Sequence, residues 1–77
     1  MTEKIYASIS KTLKIEMDQL KDDLGPGDIA EWDSLAHQEL ILALEEEYDI
    51  KLDIDDVLDM ETVADIIEII EKKLVNQ

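Results

Sequence analysis

Ser34 is the residue whose type and setting most strongly suggest chemistry. It lies between Asp33 and Leu35, where a segment containing both glycines and the only proline gives way to a run rich in Leu, Ala and Glu. A primary hydroxyl at a helix start is exposed and unhindered, and the helix dipole favours negative charge at that end. Ser and Asp are also preferred N-caps, so the tripeptide alone indicates only a cap.

No other combination of residues predicts an enzyme active site or a metal site. The chain has no cysteine, which excludes a thiol nucleophile and thiolate ligands. His37 is the only histidine, and without an inferable Ser-His-Asp arrangement we assign it no catalytic role. A calcium-binding loop starting at Asp49 would need glycine in place of Ile54 and glutamate in place of Met60. We therefore expect a non-enzyme without a bound metal.

The charge distribution restricts the class of partner. The net charge is −14 without any arginine, which disfavours binding to nucleic acid or to anionic membrane surfaces. Residues 31–60 hold eleven acidic residues and only one basic residue, Lys51. This acidity is either a solvated face or a means of steering basic partner enzymes. Because no signal peptide or membrane-spanning run is visible, we expect a cytoplasmic protein without membrane insertion.

The first half of the chain predicts one helix followed by a long loop. Ile5, Ile9 and Leu13 repeat at helical spacing, which predicts a helix over residues 3–15 with Thr2 as its N-cap. Residues 16–32 are predicted to form a loop with a helical turn near residues 18–21. Isolated apolar side chains are expected to attach this loop to the core: Met17, Leu20, Leu24 and Ile29.

The second half predicts three further helices. Residues 33–48 form the strongest helical pattern, with Leu40, Leu44 and Tyr48 on one stripe, flanked by Leu35 and Ile41. Residues 50–54 alternate apolar and charged side chains but have no partner strand, so we expect an extended connection. A short helix over residues 55–59 would direct Val57, and Met60 after it, inward. A capping box at Thr62 and Asp65 would open the last helix. The core-facing stripe predicted for that helix is Val63, Ile66, Ile67, Ile70 and Leu74.

The predicted fold is all-α. At 77 residues the chain predicts a single domain, residues 1–77, whose core must form from packed apolar faces. It should be a small antiparallel helical bundle with three long helices, one short third helix and a long loop between the first two helices.

Residues 32–49 resemble the attachment helix of the acyl carrier protein family. The likeness rests on Asp-Ser-Leu, the acidic run that follows it and the placing of Ile54, Val57 and Thr62, and it extends over nearly the whole chain. The resemblance implies a stand-alone, monomeric carrier that holds acyl or aminoacyl groups as thioesters on a 4′-phosphopantetheine arm at Ser34. A phosphopantetheinyl transferase would supply the arm from coenzyme A with Mg²⁺, and acyl-loading and acyl-using enzymes with basic docking patches would bind the carrier.

The resemblance also implies two larger sets of functional residues. The surface that docks to partner enzymes would comprise Asp33, Leu35, Glu39, Ile41, Glu45, Glu46, Glu47 and Asp49. A pocket for the acyl chain would be lined by Leu40, Leu44, Tyr48, Val57 and Ile67, although side chains of this kind more often form a plain core.

The motif departs from the version common in fatty-acid synthesis, where small residues precede Asp-Ser-Leu and an acid follows it. Here Trp32 precedes the motif, and Ala36 and His37 follow it. Trp32 could pack against the first turn near His37 as a hydrophobic staple, or it could face the arm or a partner enzyme. The departures favour polyketide, aminoacyl, surface-polymer or other specialised synthesis over housekeeping fatty-acid synthesis. The alternative function is an unmodified acidic helical adaptor for protein docking.

Overall fold

The computed structural model describes residues 2–75. Its four α-helices are α1 (Thr2–Leu13), α2 (Ser34–Tyr48), α3 (Ile54–Leu58) and α4 (Val63–Val75), and a 3₁₀ turn (Met17–Gln19) lies in the loop between α1 and α2. Within these residues there is no strand, and no helix is long and apolar enough to cross a membrane. The predicted all-α fold, with three long helices, a short third helix and a long first loop, is confirmed.

The core forms where the apolar stripes of α1, α2 and α4 meet. The predicted stripes are confirmed, and their most deeply buried side chains are Ile5, Ile9, Leu40, Leu44, Val63, Ile66 and Ile70. Leu74 lies half-buried at the edge of this core. The Ser8 hydroxyl donates to the Glu47 carboxylate at 2.5 Å, and Lys4 Nζ lies 5.8 Å from the ring centre of Tyr48. The start of α1 therefore lies beside the end of α2, so the two helices run antiparallel.

Local backbone conformation sets the helix ends at slightly different positions from those predicted. The first helix stops at Leu13, not at residue 15, because Lys14 adopts a left-handed backbone conformation with φ of 60°. Thr2 belongs to the first turn of α1 instead of preceding it, and its hydroxyl donates to Glu71 at 3.1 Å. The predicted bond from the Asp65 backbone N–H to the Thr62 hydroxyl is present at 3.2 Å, at the start of α4.

The short third helix begins one residue earlier than predicted. Asp53 caps α3 by accepting from the Asp56 backbone N–H, and the Asp56 carboxylate accepts from the Asp53 N–H in return. This capping box leaves Met60 buried after the helix and Val57 only half-buried. Lys73 of α4 forms an ion pair with Asp56 at 2.8 Å, which attaches α3 to the end of α4.

The long loop is attached to the core mainly through Leu20, which is buried, and through the half-buried Leu24 and Ile29. The prediction that Met17 is a further anchor is wrong, because Met17 begins the 3₁₀ turn with its side chain 47% exposed.

Backbone contacts also join this loop to α4. The carbonyl oxygens of Leu24 and Asp22 accept from the N–H groups of Val63 and Ala64 at 2.8 and 3.0 Å, so the loop caps the first turn of α4. Gly25 is required at this contact, since a Cβ there would lie 2.0 Å from the carbonyl oxygen of Glu61. The loop that leads to Ser34 is therefore part of the packed structure.

Candidate functional site

Ser34 is the first residue of α2, and its side chain is exposed. The N-cap is Asp33, whose carboxylate accepts from the Ala36 backbone N–H at 2.8 Å, while its carbonyl oxygen accepts from the His37 N–H at 2.9 Å. Among the described residues, the Ser34 hydroxyl has no hydrogen-bond partner. The capping role that the tripeptide suggested thus belongs to Asp33, which leaves the serine oxygen available for chemistry.

Trp32 lies where the loop turns into α2, in a corner that comprises Trp32, Asp33, Ser34 and His37. Its side chain is fully buried, and its indole Nε1–H donates to Nδ1 of His37 at 3.0 Å. The backbone of Trp32 is bonded as well, because its carbonyl oxygen accepts from the Gly27 N–H at 2.7 Å. Of the two positions considered for Trp32, the one next to His37 is correct, and its burial excludes the one facing the arm or a partner enzyme.

His37 lies in α2 and is the side-chain partner of Trp32. The side chain is half-buried, and this burial lowers the pKa of the imidazole below its ordinary value. A lowered pKa keeps the imidazole neutral at neutral pH, so Nδ1 retains the lone pair that accepts from Trp32.

The acidic residues predicted for docking do not form one free face. Glu39 and Glu46 are exposed, whereas Glu45 accepts from the Leu52 backbone N–H at 2.8 Å and Glu47 accepts from the Ser8 hydroxyl. Asp49 follows α2 in a left-handed conformation with φ of 53°. Two of the predicted docking carboxylates therefore also hold neighbouring segments in place.

The apolar residues predicted for docking also differ in exposure. Leu35 is 65% exposed beside Ser34, while Ile41 is half-buried against the core. Sequence reasoning missed Leu42, which is 64% exposed about two helical turns after Leu35 on the same side of α2. It also missed the exposed pair on α3, Ile54 and Leu58, at 75% and 70%. The sequence did contain a signal for Leu42, because an apolar residue outside the stripe of Leu40 and Leu44 is expected to be exposed.

The residues predicted to line an acyl pocket are mostly closed core. Leu40 and Leu44 are fully buried, and Tyr48 and Ile67 are buried with them in the same cluster. Burial is also the main reason that the pKa of Tyr48 is raised. Val57 is half-buried and lies outside that cluster. A groove of about 740 Å³ beside α3 and α4 is lined by other residues, including Asp49, Ile69 and Lys73.

Comparison with known proteins identifies the family. A sequence model described as a phosphopantetheine attachment site matches residues 3–70, which include Ser34 and both flanking segments. An acyl carrier protein from Desulforapulum autotrophicum is 52% identical over 54 residues, a match that spans 70% of this chain and only 62% of that relative. The solution NMR structure of the holo acyl carrier protein from Geobacter metallireducens is similar with a TM-score of 0.86 and 27% identity, over 97% of this chain and 86% of that chain. The chain belongs to the acyl carrier protein family, whose members are non-catalytic carriers with a covalently attached 4′-phosphopantetheine.

Proposed function

We propose that the chain carries acyl or aminoacyl groups as thioesters on a 4′-phosphopantetheine arm attached to the Ser34 hydroxyl. The observation that carries this proposal is the exposed serine oxygen that remains without a partner because Asp33 provides the cap. An oxygen so placed can receive a substituent without breaking a hydrogen bond of the fold. The residues therefore fit the group that the family membership implies.

In the attachment step, the Ser34 oxygen would bond to the phosphorus that carries pantetheine in coenzyme A. The pyrophosphate linkage would break, adenosine bisphosphate would leave, and the hydroxyl proton would pass to a base. Within this chain, His37 Nδ1 already accepts from Trp32, and Asp33 Oδ1 already accepts from Ala36. A phosphopantetheinyl transferase would supply the base and Mg²⁺, while this chain acts as its protein substrate.

The start of α2 favours the product. The first N–H groups of a helix have no intrahelical partner, and Asp33 occupies the one on Ala36. Those of Ser34 and Leu35 are left to face the phosphodiester, whose negative charge would lie at the positive end of the helix dipole.

We further propose that the outward face of α2 docks with the transferase and with acyl-loading and acyl-using enzymes. Leu35 and Leu42 would provide apolar contacts, and Glu39 and Glu46 would attract basic patches on those enzymes. The remaining predicted docking residues would add to the negative electrostatic field or lie at the edge of this face: Asp33, Ile41, Glu45, Glu47 and Asp49. Such steering raises encounter rates more than affinity, so added salt should slow docking.

In this proposal an attached acyl chain would enter the core beside Leu40, Leu44, Tyr48 and Ile67, with Val57 at its border. Since Leu40 and Leu44 are fully buried in the closed form, their side chains would have to separate first. The pathway we favour is a specialised one, such as polyketide, aminoacyl or surface-polymer synthesis, because Trp32, Ala36 and His37 depart from the usual motif. A monomeric state and a cytoplasmic location stay predictions from the sequence.

Intact-mass measurement after incubation with coenzyme A, Mg²⁺ and a broad-specificity phosphopantetheinyl transferase tests the attachment. The unaltered chain should gain the mass of one arm, and Ser34→Ala should gain none. Ser10→Ala is the matched control, because it removes a half-buried hydroxyl elsewhere and should still be modified. An arm on Ser34→Ala, or no arm on the unaltered chain, contradicts the proposal; the second result would favour the unmodified adaptor.

A further inference from the structure

The corner before α2 contains a buried hydrogen bond that the attachment chemistry does not use. Trp32 and His37 flank Ser34 in sequence, and their side chains are joined by the 3.0 Å bond from Nε1 to Nδ1, with ring centres 6.0 Å apart. Trp32 is fixed on the loop side by backbone bonds to Gly27 and Ile29. His37 is fixed on the helix side by its N–H bond to the Asp33 carbonyl oxygen.

We propose that the Trp32–His37 bond positions Ser34 for the transferase, and that protonation of His37 releases this bond and slows attachment of the arm. The inference rests on the proposed modification of Ser34. His37 is thus a positioning residue, which acts through the corner and does not touch the reacting atoms.

Protonation breaks the bond because the indole N–H can only donate. Neutral His37 accepts at Nδ1 and holds its proton at Nε2, whereas the imidazolium donates from both nitrogens. After protonation two donors would face each other, and the fully buried Trp32 would lose the partner of its N–H. The loop and the first turn of α2 would then lose the side-chain link between them, with Ser34 in the middle.

Burial shifts the loss of this bond to a lower pH than that at which an exposed histidine takes up a proton. Because burial lowers the pKa of His37 in the folded chain from 6.5, the unfolded chain binds the proton more readily. The stability from the bond is complete above about pH 6.5 and is lost as the pH falls through the lower, folded pKa. Burial alone accounts for the lowered pKa. No charged group contributes to this shift. Charged residues of the adjoining segments are exposed: Lys11 and Lys14 at the end of α1, Asp28 and Glu31 in the loop, and Asp33 before α2.

The test compares the unaltered chain with His37→Gln, whose amide oxygen can accept from Trp32 but does not titrate. The rate of arm attachment is measured for both chains with the same transferase from about pH 7.5 to about pH 5, and the ratio of the two rates cancels the pH dependence of the transferase. We expect this ratio to fall about threefold to fivefold toward acid, the factor that corresponds to losing one ordinary hydrogen bond. The indole N–H signal of Trp32 in nuclear magnetic resonance spectra should shift over the same pH range in the unaltered chain, but not in His37→Gln.

Trp32→Phe provides a second comparison if His37→Gln folds poorly, because it keeps a buried ring and removes the donor. Its attachment rate, relative to the unaltered chain, should rise toward acid. If the arm is attached at about pH 7.5 but the ratios do not change with pH, the positioning role is wrong while the carrier function stands. If no arm is attached at any pH, both the carrier function and the positioning role fail.

Discussion

The two ends of α2 use their polar groups differently. At the start, the side chains of Trp32, Asp33 and His37 are hydrogen-bonded, while the hydroxyl of Ser34 has no partner among the described residues. At the end, acidic side chains are abundant, but Glu45 and Glu47 bond to neighbouring segments. A reactive position can therefore be recognised from the hydrogen bonds that its neighbours already make. A count of acidic residues, in contrast, overstates the surface available for docking.

The largest change in the free energy of unfolding should come from removing the Trp32 side chain before α2. Trp32→Ala removes a fully buried indole and should lower the free energy of unfolding by about 3–5 kcal/mol, through lost burial and a cavity. Trp32→Phe retains most of the ring, so it should cost only about 1–3 kcal/mol. Urea unfolding followed by helical circular dichroism measures both values, and a Trp32→Phe variant as stable as the unaltered chain would contradict a role for the indole N–H apart from ring packing.

A smaller effect separates two adjacent glutamates at the other end. Glu45→Ala should cost about 1 kcal/mol because the Leu52 N–H loses its acceptor. Glu46→Ala should change the free energy of unfolding by less than about 0.5 kcal/mol, because Glu46 is exposed. Denaturant titrations of the two variants provide this comparison.

Glu46 also provides a test of the docking proposal. Glu46→Lys should slow arm attachment at low salt while leaving the helical signal unchanged, since the charge lies on the proposed docking face. Attachment rates for Glu46→Lys that match those of the unaltered chain at low salt would remove Glu46 from the docking surface.

The smallest effect concerns the attachment of α3. The hydrogen bond from Lys73 lowers the pKa of Asp56 below 3.8, so the stabilisation is present above about pH 4 and is lost as the pH falls through the folded pKa. Asp56→Asn should lower Tm by about a degree or two near neutral pH, as expected for a surface ion pair. Thermal unfolding near pH 7 and near pH 2 should show this difference only at the higher pH. A difference that persists in acid would assign the effect to the capping box with Asp53.

Periodicity was enough to predict the fold, because Ile5, Ile9 and Leu13 on α1 and the stripe of Leu40 and Leu44 on α2 depend on local helical spacing alone. Ser34 could likewise be singled out, since its setting is contiguous in sequence. The burial of Trp32 could not be decided, because the indole has two possible environments until the loop is packed on the core.

Hydrogen bonds between side chains and partners far apart in the sequence could not be predicted either. The bond from Ser8 to Glu47 joins two helices, and the bond from Leu52 to Glu45 depends on how the chain turns after α2. The sequence alone does not show whether an acidic residue on a helix faces solvent or bonds to a distant segment. The end of α1 was predicted two residues too late for a related reason, since Lys14 adopts a left-handed backbone conformation that usually favours glycine or asparagine.

The most direct test of the account is to isolate the chain from its native host and to locate any attached group by fragment mass spectrometry. The chain has three serines, and two of them, Ser8 and Ser10, lie in α1 and are bonded within the fold. We predict one 4′-phosphopantetheine group on the fragment that contains Ser34 and none on the fragment that contains Ser8 and Ser10. An unmodified Ser34 in the native chain, or an arm on any other residue, would contradict the account.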